Sequence, residues 1–288
     1  MAGAAESAKL GSYQRPACGR SFSMSRRIPA ISSLTALFAL AALCLSPATA
    51  AALSPEETLQ ILRTLDDRQR SSGDYKALVY MEQKERDKID VVYDLVAYRR
   101  SEDQKLMILF LKPKAEQGKG YLRLEKNLWM YDPSVGKWER RTEREKIGGT
   151  GSRRKDFDES RLAEEYNAEY EGDVKLGVYM VHTLKLTAKE GVDVAFPVMR
   201  LWVDVENNNM LKSQEFALSG RLMRTSYYPK WQKAFSESKK GEVWYAQEMR
   251  FYDEVDKSNS TLVVVKSVDL KPLDANLFTK AWLESKSR

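Results

Sequence analysis

The chain has 288 residues, 43% of them hydrophobic and 31% charged, with a formal charge of +6. That balance is globular and excludes a wholly disordered chain or a polytopic membrane protein. Residues 1–50 hold five of the 47 basic and one of the 41 acidic residues, so the rest carries 42 against 40, a net of +2. This is not the concentrated excess of a nucleic-acid-binding domain, and no nucleic-acid partner is expected.

From Met24 the chain reads as an export signal. Arg26 and Arg27 precede an apolar run from Leu34 to Leu45, and Ser46-Pro47-Ala48-Thr49-Ala50-Ala51 supplies a small-residue exit. A short positive segment, an apolar core too short for a stop-transfer helix and an Ala-x-Ala exit make a secretory signal peptide. Residues 1–50 are read as this signal, with the true start at Met24 and cleavage after Ala50 or Ala52. Cys44 follows Leu43 rather than a small residue, so it does not fit a lipobox. The two cysteines, Cys18 and Cys44, both fall in the segment expected to be removed. The mature chain then has no disulfide and no thiol nucleophile, and it holds together by burial alone.

Residues 51–288 read as a single domain. Ser54-Pro55-Glu56-Glu57 opens a helix as a capping box with proline in the first turn. Leu59, Leu62 and Leu65, joined by Ile61, continue its apolar stripe to about Arg68. After Gly73 the period changes to two. Strands are expected at Lys76–Lys84, Val91–Arg100, Lys105–Leu111, Gly120–Glu125, Leu128–Tyr131 and Lys137–Arg141. A helix is expected at Asp156–Asn167. A second strand series covers Val178–Thr187, Val198–Val205, Leu211–Leu218, Leu222–Tyr228, Val243–Tyr252 and Thr261–Leu270. A last helix begins near Asp274, with Leu277, Phe278, Ala281 and Trp282 on its apolar side. The linkers are short, which implies antiparallel pairing, because parallel strands need long crossovers. The pattern predicts a mainly β domain with few helices.

Catalytic constellations do not stand out. His182 is the one histidine, and it has no cysteine or second histidine to join it in a metal site. There is no P-loop, nucleophile elbow or dinucleotide fingerprint. The carboxylates show no spacing that singles out a pair. The expectation is a non-enzyme without metal or cofactor. The positive signal is apolar strand surface. Leu106-Met107-Ile108-Leu109-Phe110-Leu111 is apolar on both faces, and Met81, Tyr93, Met130, Trp202, Met223, Met249 and Phe251 spread methionine and aromatic side chains over many strands. Such side chains repack around irregular apolar ligands.

Several ordered motifs resemble one family. They are Phe110-Leu111-Lys112-Pro113, Gly118-Lys119-Gly120-Tyr121-Leu122-Arg123 and Asn127-Leu128-Trp129-Met130-Tyr131-Asp132-Pro133-Ser134-Val135-Gly136-Lys137. Leu201-Trp202-Val203-Asp204 follows, then Glu215 to Gly220 with Leu222 and Arg224-Thr225, and finally Leu277-Phe278-Thr279-Lys280. Together they resemble the bacterial outer-membrane lipoprotein-sorting proteins, the LolA-like group, over about Tyr75 to Leu283. The middle departs from the family: Arg153-Arg154-Lys155 stand inserted after Gly151-Ser152, and Ser160-Arg161 replace an acidic pair.

The resemblance implies an incomplete antiparallel β-barrel, a half-barrel with helices capping its concave face. It also implies a periplasmic carrier of lipid or lipoprotein acyl chains, soluble and monomeric after cleavage, with an inner-membrane RND-type or ABC-type transporter as a partner. The alternative is a binding module that docks to such a transporter without cargo. By alternation, Val79, Met81, Tyr93, Leu95, Ile108, Phe110, Leu122, Leu124, Leu184, Leu201, Val203, Met249 and Phe251 are expected to line one concave face. Arg153, Arg154 and Lys155 are expected at the groove mouth, as a contact for anionic headgroups or an acidic partner.

Overall fold

A computed structural model describes residues 52–70, 73–124, 127–141, 147–148, 150, 156 and 160–287. The signal segment 1–50, the two cysteines and the basic triplet Arg153, Arg154 and Lys155 lie outside the described residues.

Helix α1 spans Pro55–Arg70. Ser54 caps it: its hydroxyl accepts from the Glu57 amide at 3.2 Å, and Glu57 reaches back to the Ser54 amide at 2.8 Å. Thirteen strands follow. They are β1 (Tyr75–Lys84), β2 (Val91–Arg100), β3 (Lys105–Lys112), β4 (Gly120–Leu124), β5 (Asn127–Asp132) and β6 (Lys137–Arg141), then β7 (Tyr166–Leu176), β8 (Tyr179–Ala188), β9 (Val198–Asp204), β10 (Met210–Phe216), β11 (Leu222–Ser236), β12 (Gly241–Asp253) and β13 (Ser260–Asp269). Helix α2 is the single turn Leu162–Glu165, and α3 is Lys280–Lys286.

The strands form one antiparallel sheet in the order β6-β5-β4-β3-β2-β1-β13-β12-β11-β10-β9-β8-β7. β6 and β7 stand at its two edges, so the sheet is an open half-barrel and not a closed one. Nearly every neighbour is consecutive in sequence. The exception is β1 on β13, which brings the two ends of the strand series together at the centre.

The helix expected at Asp156–Asn167 is corrected. Among the described residues of that span the α-helical part is the single turn Leu162–Glu165, and Tyr166 begins β7, which pairs with β8 along its length. Asp66 on α1 fixes where the turn starts. Its carboxylate accepts from the Leu162 and Ala163 amides at 2.8 and 2.9 Å and from the Ser160 hydroxyl, which caps the single turn.

Alternation sorts the apolar residues onto two faces. The inner face carries two clusters. One is built on β1–β5, β12 and β13 around Met81, Leu95, Ile108 and Phe110. The other is built on β7–β9 around Leu184, Leu186 and Leu201, against Ile61, Leu62 and Leu65 of α1. The outer face carries Met107, Leu109 and Leu122 beneath Phe278 and Leu283. The C-terminal segment therefore packs on the outer face, and among the described helices α1 and α2 serve the inner one.

Among the described residues no helix is long and apolar enough to cross a membrane.

Candidate functional site

Register decides which side chains share the inner face. Val79 pairs with Leu95, Met81 with Tyr93 and with Val263, and Val263 in turn with Met249. Leu95 pairs with Phe110, and Ile108 with Tyr121. On the other half Leu184 pairs with Leu201, and Val203 with His182. Of the residues expected to line this face, Val79, Met81, Tyr93, Leu95, Ile108, Phe110, Met249 and Phe251 gather in the first cluster. Leu184, Leu201 and Val203 gather in the second.

Leu122 and Leu124 do not belong with them. Leu122 pairs with Met107, and both leucines pack in the outer-face cluster with Phe278 and Leu283. The inner residues of β4 are Tyr121 and Arg123. Both faces of β3 and β4 are apolar, so alternation carried no phase there, and a one-residue slip moves a whole strand set to the other side.

At the heart of the first cluster Phe110 lies between two tyrosine rings, with centroids 5.6 Å from Tyr93 and 6.1 Å from Tyr121. Gly148 rests on this trio. The Tyr93 hydroxyl donates to its carbonyl at 3.1 Å, and its amide donates to the Tyr121 hydroxyl at 3.0 Å. Gly148 has φ +60°, and a Cβ there would stand 2.9 Å from the Phe110 ring. Both demands exclude a larger residue. Ile147 beside it is 2% exposed within the same cluster. Burial raises the pKa of both tyrosines, so both stay neutral hydroxyls.

A polar stripe separates the two apolar clusters. Arg224 on β11 makes two hydrogen bonds of 2.8 Å to the carboxylate of Asp156. Glu215 stands 3.8 Å from it, and the Phe251 ring lies 4.3 Å beneath the guanidinium. Arg224 and Glu215 side chains are only 4% and 8% exposed. Burial works against the Arg224 charge, but Asp156 and Glu215 outweigh it and raise its pKa. Such a fork-to-carboxylate pair holds a fixed geometry. Asp156 thus ties its segment to the middle of the sheet.

His182 lies at the end of the second cluster. Its Nδ1 is 2.6 Å from Asp173 Oδ1, which also accepts from the Tyr170 hydroxyl at 2.7 Å. A separate cavity of about 300 Å³ lies near the far end of β11 and the end of β13. Glu237, Asp269 and Lys271 share its lining with Phe235 and Val268, so it is too polar to extend the apolar face.

Sequence reasoning did not find Gly148, Tyr121 or the Arg224–Asp156 pair as site elements. Arg224 stood in a quoted motif, and a lone arginine in an alternating strand on the side shared with Leu222 was the available signal.

A family model described as an uncharacterized protein matches residues 102–285. No curated protein matches the sequence. Among solved structures, a DUF1329 family protein from Desulfovibrio piger is 16% identical with a TM-score of 0.68, covering 80% of this chain and 100% of that one. A putative outer membrane lipoprotein-sorting protein domain from Vibrio parahaemolyticus is 19% identical with a TM-score of 0.67, covering 80% and 100%. A LolA superfamily protein from Nitrosomonas europaea is 18% identical with a TM-score of 0.63, covering 78% and 98%. The chain belongs to the uncharacterized protein family of the matching model, and its fold is the LolA-like fold of the outer-membrane lipoprotein-sorting group.

Proposed function

We propose that this chain is a periplasmic carrier that holds the acyl chains of a lipid or lipoprotein against the inner face of its half-barrel and takes part in transport to the outer membrane. The observation that supports it is the continuous apolar first cluster, where Met81, Leu95, Ile108 and Phe110 from neighbouring strands share one face. Burying acyl chain there is worth about 0.8 kcal/mol per CH₂ and needs no covalent chemistry, so the protein acts by binding and not as an enzyme. The fold similarity and the expected export signal support the same reading.

One observation favours a second reading. Phe110 and Ile108 are each 1% exposed, with Ile147 and Gly148 packed against the same cluster, so the face is closed in this structure. A closed face suits a module that docks to an RND-type or ABC-type transporter and carries nothing. Mass spectrometry of lipid extracted from protein purified out of a Gram-negative envelope separates the two. A stoichiometric lipid supports the carrier. Its absence, together with failure to take up lipid from vesicles, overturns the carrier in favour of the docking module.

A further inference from the structure

We propose that the tip of the β7–β8 hairpin is a membrane-docking element that dips into the headgroup layer of a lipid bilayer. The inference goes beyond the carrier reading and does not rest on it, because a docking module in the envelope would use the same contact.

The tip reads Val174-Lys175-Leu176-Gly177-Val178-Tyr179-Met180, with Lys175 its one charged residue. Gly177 has φ +62°, which lets the two strands close through Gly177 and Val178 alone. The register pairs Leu176 with Tyr179, Lys175 with Met180, Val174 with Val181 and Asp173 with His182. The pairing of β8 with β9 ends at Val181 and Asp204. The two pairs nearest the turn therefore run past β9, and on its other side β7 is the edge of the sheet. The Val205 amide donates to the Met180 carbonyl at 3.1 Å and sets one more aliphatic side chain beside the tip.

The tip is greasy where it is most exposed. Val178 is 86% exposed and Met180 50%, and Val174, Tyr179 and Val205 are exposed as well. Single exposed aliphatic residues are ordinary on a protein surface, but a contiguous group rimmed by polar residues marks an interaction site. Alternation puts Val174, Leu176 and Tyr179 on one face of the ribbon and Met180 on the other, with Val178 at the turn. Apolar side chains on both faces select the partner. A protein surface takes one face and leaves the other in water, and a tip of a few residues falls far short of the roughly 1,000 Å² that a specific protein interface buries. A lipid surface is fluid and surrounds both faces.

Polar groups set the depth. His182 Nδ1 is 2.6 Å from Asp173, whose carboxylate also accepts from the Tyr170 hydroxyl at 2.7 Å. This pair stands three steps behind the pair that closes the turn. At about 3.4 Å per residue, about 10 Å of ribbon lies beyond it. Interfacial elements sit about 5–10 Å deep, so the tip enters and the Asp173–His182 pair stays in water. Lys175 lies on the Met180 face, where its stem can follow apolar surface while its ammonium reaches the phosphate layer. An insertion this small holds the chain at the surface reversibly and does not anchor it.

The test uses protein purified out of a Gram-negative envelope and protein-free vesicles of dioleoylphosphatidylcholine, which carry no net charge. Flotation reads the bound fraction against lipid concentration. The wild type is expected to float equally at about 0.05 M and about 0.5 M salt, because apolar insertion is not screened. Val178→Asp/Met180→Asp should lower the partition coefficient about a hundredfold, about tenfold for each aliphatic side chain that no longer leaves water. Both positions are exposed, so its urea midpoint should match the wild type. Val178→Leu/Met180→Leu should float as the wild type does. Hydrogen exchange on the wild type needs no variant: vesicles should slow exchange at residues 175–180. No flotation of the wild type overturns the docking element and leaves the carrier reading to its own lipid measurement. Flotation unchanged in the aspartate variant, or protection elsewhere in the chain alone, overturns the assignment to this tip. Flotation lost at high salt assigns the contact to surface charge and overturns apolar insertion. Binding to inner-membrane vesicles that keep their proteins, without binding to protein-free vesicles, assigns the tip to a protein pocket and overturns the lipid proposal.

Discussion

The two halves of the inner face are equally apolar but are covered in different ways. On the β7–β9 half an amphipathic helix lies across the strands, and Ile61, Leu62 and Leu65 interlock with Leu184, Leu186 and Leu201. That is ordinary helix-on-sheet packing, and Leu62 is fully buried in it. On the β1–β5 half, Ile147 is the buried member of the described cluster that comes from outside the strands. Its neighbour Gly148 is held by two tyrosine hydroxyls. A helix face resists displacement through many apolar contacts, whereas each neutral hydrogen bond from Tyr93 and Tyr121 to Gly148 contributes about 0.5–1.5 kcal/mol. On the carrier reading proposed above, the difference points to stability on one half and exchange with cargo on the other.

The largest expected effect falls on the stripe between the halves. Arg224→Met removes the cation from between Asp156 and Glu215 and leaves a buried carboxylate unpaired. Breaking one partner of a buried pair costs about 3–5 kcal/mol. Urea denaturation should show a large drop in the midpoint. A midpoint within error of wild type would mean that the stripe does not join the halves.

Next comes a paired comparison. Leu62→Ala truncates a fully buried side chain under α1 and should cost about 2–5 kcal/mol. Among molecules that remain folded, lipid uptake from vesicles should stay at the wild-type rate. Ile147→Ala truncates the member of the first cluster that comes from outside the strands, and it should speed uptake. If Leu62→Ala changes uptake and Ile147→Ala does not, the roles of the halves are reversed.

A finer probe removes only the two hydroxyls. Tyr93→Phe with Tyr121→Phe keeps the rings around Phe110 and deletes both hydrogen bonds to Gly148. The loss in stability should be about 1–3 kcal/mol for the pair. Stopped-flow measurement of fluorescent fatty-acid uptake should show a faster association. An unchanged rate would show that Gly148 does not limit access.

Much of this architecture was legible in the sequence, and the failures have physical causes. β1 and β2 show their buried face by alternation and β3 by a continuous apolar run, and their expected bounds lie within a residue of those observed. β7 was missed because it is an edge strand, where Glu169, Glu171 and Asp173 replace the β-branched residues of a buried strand. β11 runs on to Ser236 through Pro229-Lys230-Trp231-Gln232-Lys233, a polar arm whose pairing with β12 leaves no alternation to read. Leu122 and Leu124 were placed on the wrong face because β4 is buried on both sides.

The smallest effect tests whether the outer side of the same half is independent of its inner side. Asp94 lies on β2 between the inward residues Tyr93 and Leu95, and it faces outward. Lys266 on β13 and Lys112 on β3 flank it at 2.9 and 3.1 Å. Hydrogen bonds from Lys266 and then Lys112 hold its pKa below the ordinary aspartate value, against a smaller opposing effect of burial. A depressed folded pKa means that the pairing stabilises the fold above the unfolded aspartate range near 4. That contribution disappears as pH falls through the folded value. Asp94→Asn should therefore flatten the acid limb of the stability curve below about pH 4 and leave lipid uptake untouched. Chemical denaturation at steps of pH reads the first, and vesicle extraction at neutral pH reads the second. A shift in lipid uptake would show that the outer ion pairs across β3, β2 and β13 set the spacing of the inner face. The two faces of this half would then act as one site.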